Sequence, residues 1–410
     1  MPDTPPRAHD AERVYLRIAV VFGFAMSTIS TLSGIYLITD VGLGPFQLVL
    51  VGSVLEGTAL LFEVPTGVVA DSISRRTSVL WGFGLMGAGF LLYAVPSFGV
   101  VLAGQVVWGL GSTFISGANV AWLVDEIGED AARPLFLRAA QLGQTAAFAG
   151  IVAGVALGSA ALGLPVAFGG VVFLALTVWL VRNMHETRRP DGHATVGAAM
   201  RATVASAREV TRLRPVLLLV VAVAALHGAS TEGFDRLWEL NLLEQVDLPD
   251  VGGLGITPWF GLLRAVGLVV AIAATAFVRR RLRDKSSDAA VLALAATAAL
   301  FALAMAAYAV STSLVAAVLA YWFVVAVRGV HTPLYTAWVN TGLESSSRAT
   351  VNSLGAQADA LGQVGGGPVL GWIAAAQSVR AALGAAAILA LPVMPLVRRG
   401  RRRESVETGP

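Results

Sequence analysis

One short stretch gathers Gly67, Ala70, Asp71, Arg75 and Arg76 between two long apolar runs. Hydrocarbon cannot hold an aspartate beside two arginines in a bare turn, because each unpaired charge there is costly. The stretch therefore reads as a turn at a membrane surface. Gly67 permits close helix approach, and Asp71 and the arginines can lock neighbouring helix ends, with Arg75 reaching Asp125 and Asp71 facing a helix start at Ser345, Ser346 and Ser347. A second group lies within the apolar runs, where every ionisable side chain is a functional candidate. Glu56 stands eleven residues after Pro45, roughly 16 Å along a helix. That depth is near the midplane of a core about 30 Å thick. Asp359 stands eleven residues after Arg348 and Arg328 thirteen before Thr341, so the two can meet. They read either as a structural ion pair or as part of a transport site. Glu56 has no local partner and reads as the carrier of a coupled proton or as a structural acid.

Glu232, Asp235, Arg236 and Glu239 recur at i, i+3, i+4 and i+7, one helix face. Glu232 is seventeen residues from Pro215, roughly 26 Å along, which suggests a solvated rim or outer gate with Arg264 as partner. Ser27, Ser30, Thr31 and Gly34 form a polar stripe ending near Tyr36. It suits a water-filled cavity, shared with Asn119, Gln141 and Gln144, and equally suits satisfaction of backbone carbonyls. His227 and His331 read as buried, hydrogen-bonded imidazoles before proton relays. His185 and His193 fall in a polar linker.

These residues need long helices to position them. The chain has 410 residues, 56% hydrophobic and 13% charged, against about 25% charged in soluble proteins. Twelve apolar segments are read at 14–38, 45–69, 77–95, 98–124, 134–160, 164–181, 215–243, 257–278, 288–310, 313–339, 349–375 and 379–397. Most exceed about 18 residues, enough to cross a bilayer. They do not alternate with period two, which argues against a barrel. Arginines and the lysine Lys285 concentrate in alternate loops, around Arg75 and Arg76, Arg133, 182–214, 279–285, Arg348 and 398–403. The positive-inside rule then places both termini in the cytoplasm of a cell whose plasma (inner) membrane the chain crosses. The start, 1–10, is polar and proline-rich, so no cleavable signal peptide is expected. The expected domains are a six-helix bundle at 1–183, a cytoplasmic linker at 184–214 with an amphipathic stretch at 195–212, a second bundle at 215–397, and a basic tail at 398–410.

A weak repeat supports two bundles. Ala121-Trp122 and Ala337-Trp338 lie 216 residues apart, as do Ala140-Gln141 and Ala356-Gln357. No cysteine, P-loop, zinc-binding histidine pair or nucleophile elbow is present, so neither an enzyme, a cofactor nor a metal is expected.

The Gly67–Arg76 stretch resembles the loop between the second and third membrane helices of the major facilitator superfamily. Gly67, Ala70, Asp71, Arg75 and Arg76 match its pattern, whereas Ser72 stands where arginine is usual and Ser74 where glycine is usual. The runs 62–67 and 121–125 are also similar to bacterial members. The resemblance implies an all-α membrane protein of twelve helices in two pseudo-symmetric six-helix bundles, acting by alternating access. Gln105 occupies a position where many proton-coupled members carry arginine. The Gly-Pro pair of drug antiporters is missing from the fifth helix, which has Gly150, Gly154 and Gly158 instead, while Gly367-Pro368 and Gly371 lie in the eleventh. The implied function is proton-coupled efflux of a drug or metabolite. A nutrient importer of the same fold and a non-transporting membrane receptor are the alternatives. Expected partners are a small-molecule substrate, protons and the lipid bilayer, with no nucleic acid, and a monomer is expected.

Overall fold

Residues 6–187, 195–201, 205, 216–283, 287–340 and 345–399 are described in a computed structural model of the chain. Among them there is no strand. The helices are α1 (Pro6–Thr39), α2 (Pro45–Ser72), α3 (Arg75–Tyr93), α4 (Phe98–Ile115), α5 (Ala118–Ile127), α6 (Glu129–Gly158) and α7 (Leu164–Asn183). After the linker come α8 (Val216–Gln245), α9 (Thr257–Leu282), α10 (Ser287–Val310), α11 (Leu314–Val339), α12 (Ser345–Ala376) and α13 (Val379–Ala390). A turn at Leu391 and Pro392 leads from α13 into further helix over 393–399. Most of the linker, including much of the expected amphipathic stretch, and the end of the basic tail lie outside the described residues.

Among the described residues, ten spans are long and apolar enough to cross a membrane, with α4 and α5 counting as one. The remaining long helices, α3 and α12, complete two sets of six. α3 has only 19 residues and begins on two arginines, and α12 carries Asn352, Gln357, Asp359 and Gln363.

The fourth segment, expected to run unbroken over 98–124, is interrupted. Gly117 takes φ +72° and Gly128 φ +86°, a region that costs side-chain-bearing residues strain. The chain therefore turns at Gly117 between α4 and α5, and again at Gly128 before α6.

The same packing scheme occurs twice. α1 packs on α6 and α7, and α3 on α4 and α7; correspondingly α8 packs on α12 and α13, and α10 on α11 and α13. Glycines let two of these pairs close to backbone contact: a Cβ at Gly150 would overlap the Phe24 carbonyl of α1, and one at Gly362 would overlap the Ala225 carbonyl of α8.

The chain divides into two compact units, Met1–Gly42 with Thr58–Met200 and Asp250–Gly261, and Leu43–Gly57 with Arg201–Pro249 and Leu262–Pro410. In the first, Phe173 stacks against Phe83 and Phe90, each at 5.9 Å, and Trp108 lies 4.6 Å from Phe90. In the second, Leu217, Val220 and Val223 of α8 are buried with Leu294, Ala295 and Ala298 of α10 and Leu334 and Trp338 of α11.

Candidate functional site

The second unit holds the charges. The helical spacing of Glu232, Asp235, Arg236 and Glu239 sets them along one side of α8, and each of the three acids finds a basic partner. Arg236 Nε donates to Glu232 Oε1 at 3.0 Å, and Arg264 Nη2 of α9 donates to Glu239 Oε1 at 3.3 Å. Arg328 of α11 grips Asp235 with both terminal nitrogens, Nη2 donating to Oδ2 at 2.8 Å. A forked pair of this kind fixes geometry as well as charge. The expectation of a solvated rim is corrected for Glu232, 1% exposed, and Glu239, 4%, whereas Asp235 is exposed. Glu232 and Glu239 are the buried members of this network, and low-dielectric surroundings make their pairs strong and intolerant of loss.

The expected Arg328–Asp359 pair is also corrected. Asp359 accepts instead from Gln363 Nε2 at 2.7 Å. The reason is register: a Cβ on Gly228 would overlap the backbone carbonyl of Asp359, so α12 meets α8 at that level. Asp235 lies seven residues further along α8, about 10 Å away, and it takes the guanidinium.

Glu56 enters the same neighbourhood from the first half of α2. Gly52, one turn earlier, sits directly over the Glu232–Arg236 pair, where any Cβ would overlap Glu232 Oε1 and Arg236 Nε. Ser53 follows; its hydroxyl is buried and unpartnered. Where a Cβ would project from Gly367 of α12, Ser53 Oγ lies 2.6 Å away and Glu232 Cγ 3.2 Å. Glu56 is half-buried, and among the described residues it makes no hydrogen bond or ion pair. It lies within electrostatic reach of Glu232, Arg236, Asp359 and Asp235. Gly52 and Ser53 escaped sequence reading, because a small residue beside an acid signals contact only once its neighbour is known.

His227 and His331 are not lone. Their rings stack at 4.1 Å with 12° between planes, and Thr297 Oγ1 lies 3.1 Å from His331 Nδ1. His331 Nε2 is buried without a partner. The two rings, Arg328 and Ser230 share the lining of a small cavity with apolar side chains.

In the first unit the charges of the Gly67–Arg76 stretch sit near helix ends. Arg75 pairs with Asp125 of α5 and donates to the Ala121 carbonyl at 3.0 Å, while exposed Asp71 lies 3.9 Å from Arg75. Arg76 donates to the carbonyls of Met184 at 2.5 Å and Val181 at 2.7 Å. Ser74 caps α3 through the Thr77 amide, 3.0 Å. The carboxylate resting on this helix start is Glu186, a residue the sequence reading passed over. It accepts from Ser74 Oγ at 2.5 Å and from the Arg75 amide at 2.8 Å, and the partial positive charge of a helix N-terminus favours it. The side chains of Ser345, Ser346 and Ser347, expected to face Asp71, lie outside the described residues, as does that of Arg348. Gly67 has no described atom within 4 Å of a Cβ position, so the expected close approach is not seen among the described residues. Glu63 accepts from Ser116 Oγ at 2.8 Å, bracing the break between α4 and α5.

The expected cavity stripe is mixed. Thr31 is buried and its hydroxyl returns to the Ser27 carbonyl at 2.6 Å, the backbone-satisfying alternative. Ser30 is half-buried and Gln141 exposed. Tyr36 packs on Tyr93 with a buried unpartnered hydroxyl, and Asn119 Oδ1 is likewise unpartnered.

Two matched six-helix sets, with ionisable groups inside their helices and no strand among the described residues, define a polytopic α-helical membrane protein of the transporter class. The chain belongs to the Major Facilitator Superfamily, whose family model matches residues 17–367. It is 24% identical over 395 residues to an uncharacterised MFS-type transporter, YxaM, of Bacillus subtilis (strain 168), covering 93% of this chain and 94% of that protein. Among solved structures it is similar to the nucleoside transporter NupG, with TM-score 0.74 and 12% identity over 96% of this chain and 98% of that one. The peptide transporter POT in complex with sulfate gives TM-score 0.72 and 15% identity over 96% and 94%. At those identities the likeness is one of fold. The chain is thus a multi-pass membrane transporter of this family.

Proposed function

We propose that the chain is a secondary active transporter of the plasma membrane, with both termini cytoplasmic, that exports a small, partly apolar organic solute in exchange for protons by alternating access. One observation carries the reading: Glu56, half-buried on α2 and unpartnered among the described residues, is set by Gly52 and Ser53 against the Glu232–Arg236 pair. A carboxylate whose surroundings alternate between wet and dry binds and releases a proton as they change. The paired acids Glu232, Asp235 and Glu239 hold the scaffold while Glu56 and Asp359 remain available. The arginine distribution supports the orientation.

The test is transport in liposomes under an imposed proton gradient. Wild-type protein is expected to move solute uphill, and Glu56→Gln to retain substrate counterflow at saturating solute while losing gradient-driven movement. Full uphill transport by Glu56→Gln would remove Glu56 from coupling. Movement only in the same direction as the protons would replace export-by-exchange with import, and no flux of any kind would favour a receptor.

A further inference from the structure

The charges around Glu56 do not balance. Glu56, Glu232, Asp235 and Asp359 interact as one group with only Arg236 and Arg328. Arg264 is committed to Glu239. With all four carboxyls ionised, two negative charges are left over among the described residues. The stacked imidazoles do not supply the difference, because rings 4.1 Å apart beside the Arg328 guanidinium would set like charges together. Glu232 is buried and Glu56 and Asp359 are half-buried, and holding net charge partly out of water is costly, so a proton or a positive occupant is favoured there.

A second observation points the same way. Ser53 Oγ is buried, has no partner, and faces Glu232 across the glycine surface of Gly367. A hydroxyl oxygen left without a donor is an acceptor held ready for a ligand N–H or polarised C–H. Val49 Cγ1 lies 3.1 Å from the same Gly367 Cβ position, and Val364 Cγ2 lies 3.8 Å from that of Gly57, the residue after Glu56.

We infer that the solute is a hydrophobic organic cation, its positive charge met by Glu56 and Asp359 with Ser53 as a neutral acceptor. This rests on the transporter reading above. Anionic and phosphorylated solutes are disfavoured by the same excess charge. Glu232 and Asp235, already gripped by arginines, shape the site and do not bind the solute directly.

The experiment is saturable binding to purified protein in lipid nanodiscs, in mildly alkaline buffer, of three permanent cations: tetraphenylphosphonium, ethidium and 1-methyl-4-phenylpyridinium. Tetraphenylborate serves as the anion of matching shape. At least one cation is expected to bind and the anion not to. Glu56→Gln and Asp359→Asn should each weaken cation binding by about tenfold or more, the loss of one close charge contact. The charge-keeping Asp359→Glu should stay within about threefold of wild type, as a half-exposed contact tolerates a longer arm. Thermal unfolding confirms that each variant is folded. Failure of all three cations to bind, equal binding of the anion, or unchanged binding by both neutralised variants would overturn the inference. Uphill flux of a neutral solute with no cation binding would sink the cation while keeping the transporter. Cation binding without flux of any solute would sink the transporter reading instead.

Discussion

The Arg75 turn of the first unit and the Glu232 network of the second are both made of acids and arginines, yet they solve different problems. At Arg75 the charges lie near helix ends and lean on backbone: Arg75 on the Ala121 carbonyl, Arg76 on Met184 and Val181, Glu186 on the start of α3. In the Glu232 network they lie inside helices, lean on one another, and leave two carboxylates over. Backbone partners stay fixed while side chains move, so the first arrangement clamps. Side-chain partners can be exchanged, so the second can bind and release. The clamp and the working charges are thereby kept on different helices.

The largest effect should come from removing one member of a buried pair. Arg236→Ala leaves Glu232 buried and ionised, at a cost of about 3–5 kcal/mol. Changing Glu232→Gln in the same protein should recover part of that loss. Arg75→Ala, whose partner Asp125 is 30% exposed, should cost about 1–3 kcal/mol, the price of hydrogen bonds to charged groups. Thermal unfolding in detergent reads both. Equal losses at the two positions would erase the distinction between clamp and network.

A double-mutant cycle sharpens the network itself. Arg328 and Asp235 should couple by about 1–3 kcal/mol, whereas Arg328 and Asp359 should be additive to within about 0.5 kcal/mol. Coupling confined to Asp359 would return Arg328 to the partner suggested by depth along the helices.

That suggestion marks where sequence reading stopped. Segment lengths and the arginine pattern made the all-helical fold legible, because lipid leaves few alternatives. Arg75 with Asp125, and Arg264 with the α8 acids, could be anticipated because a motif or a shared depth narrows the choice to one side of a short turn or one neighbouring helix. The partner of Arg328 could not, since it depends on the backbone contact between Gly228 and Asp359 that sets the register of α8 and α12. The stacking of His227 on His331 is hidden for the same reason: they are 104 residues apart and no local pattern joins them. Glu186 was missed because a helix N-terminus attracts any carboxylate that three-dimensional folding brings to it, and Asp71 was the nearer acid in sequence. The break at Gly117 had a local signal in Ser116-Gly117, outweighed by the apolar run around it.

Two glycines of α2 test the contrast within one helix. Gly52→Ala should destabilise by about 1–3 kcal/mol through overpacking against Glu232 and Arg236. Gly67→Ala meets open space among the described residues and should be neutral or stabilising by about 0.5–1 kcal/mol, since alanine loses less backbone entropy in a helix. Unfolding temperatures of the two variants should therefore move in opposite directions or differ clearly. A larger loss at Gly67 than at Gly52 would mean that the close approach expected from its motif operates in a conformation other than this one.

The smallest effect concerns the helix start held by Ser74 and Glu186. Ser74→Ala removes the side-chain acceptor for the Thr77 amide, an N-cap worth about 1 kcal/mol. It also removes the hydroxyl donor to Glu186, but the carboxylate keeps the Arg75 amide at 2.8 Å and the field of the helix end. The loss should therefore stay near that of a cap alone. Glu186→Gln keeps an acceptor for the Arg75 amide and loses only the charge, so it should cost less, about 0.3–1 kcal/mol. Combining the two should give less than the sum, because the Ser74–Glu186 hydrogen bond is counted in both single changes. Additive losses would show that the two caps act independently, and that the start of α3 is held by the backbone contacts of Arg75 and Arg76 without help from Glu186.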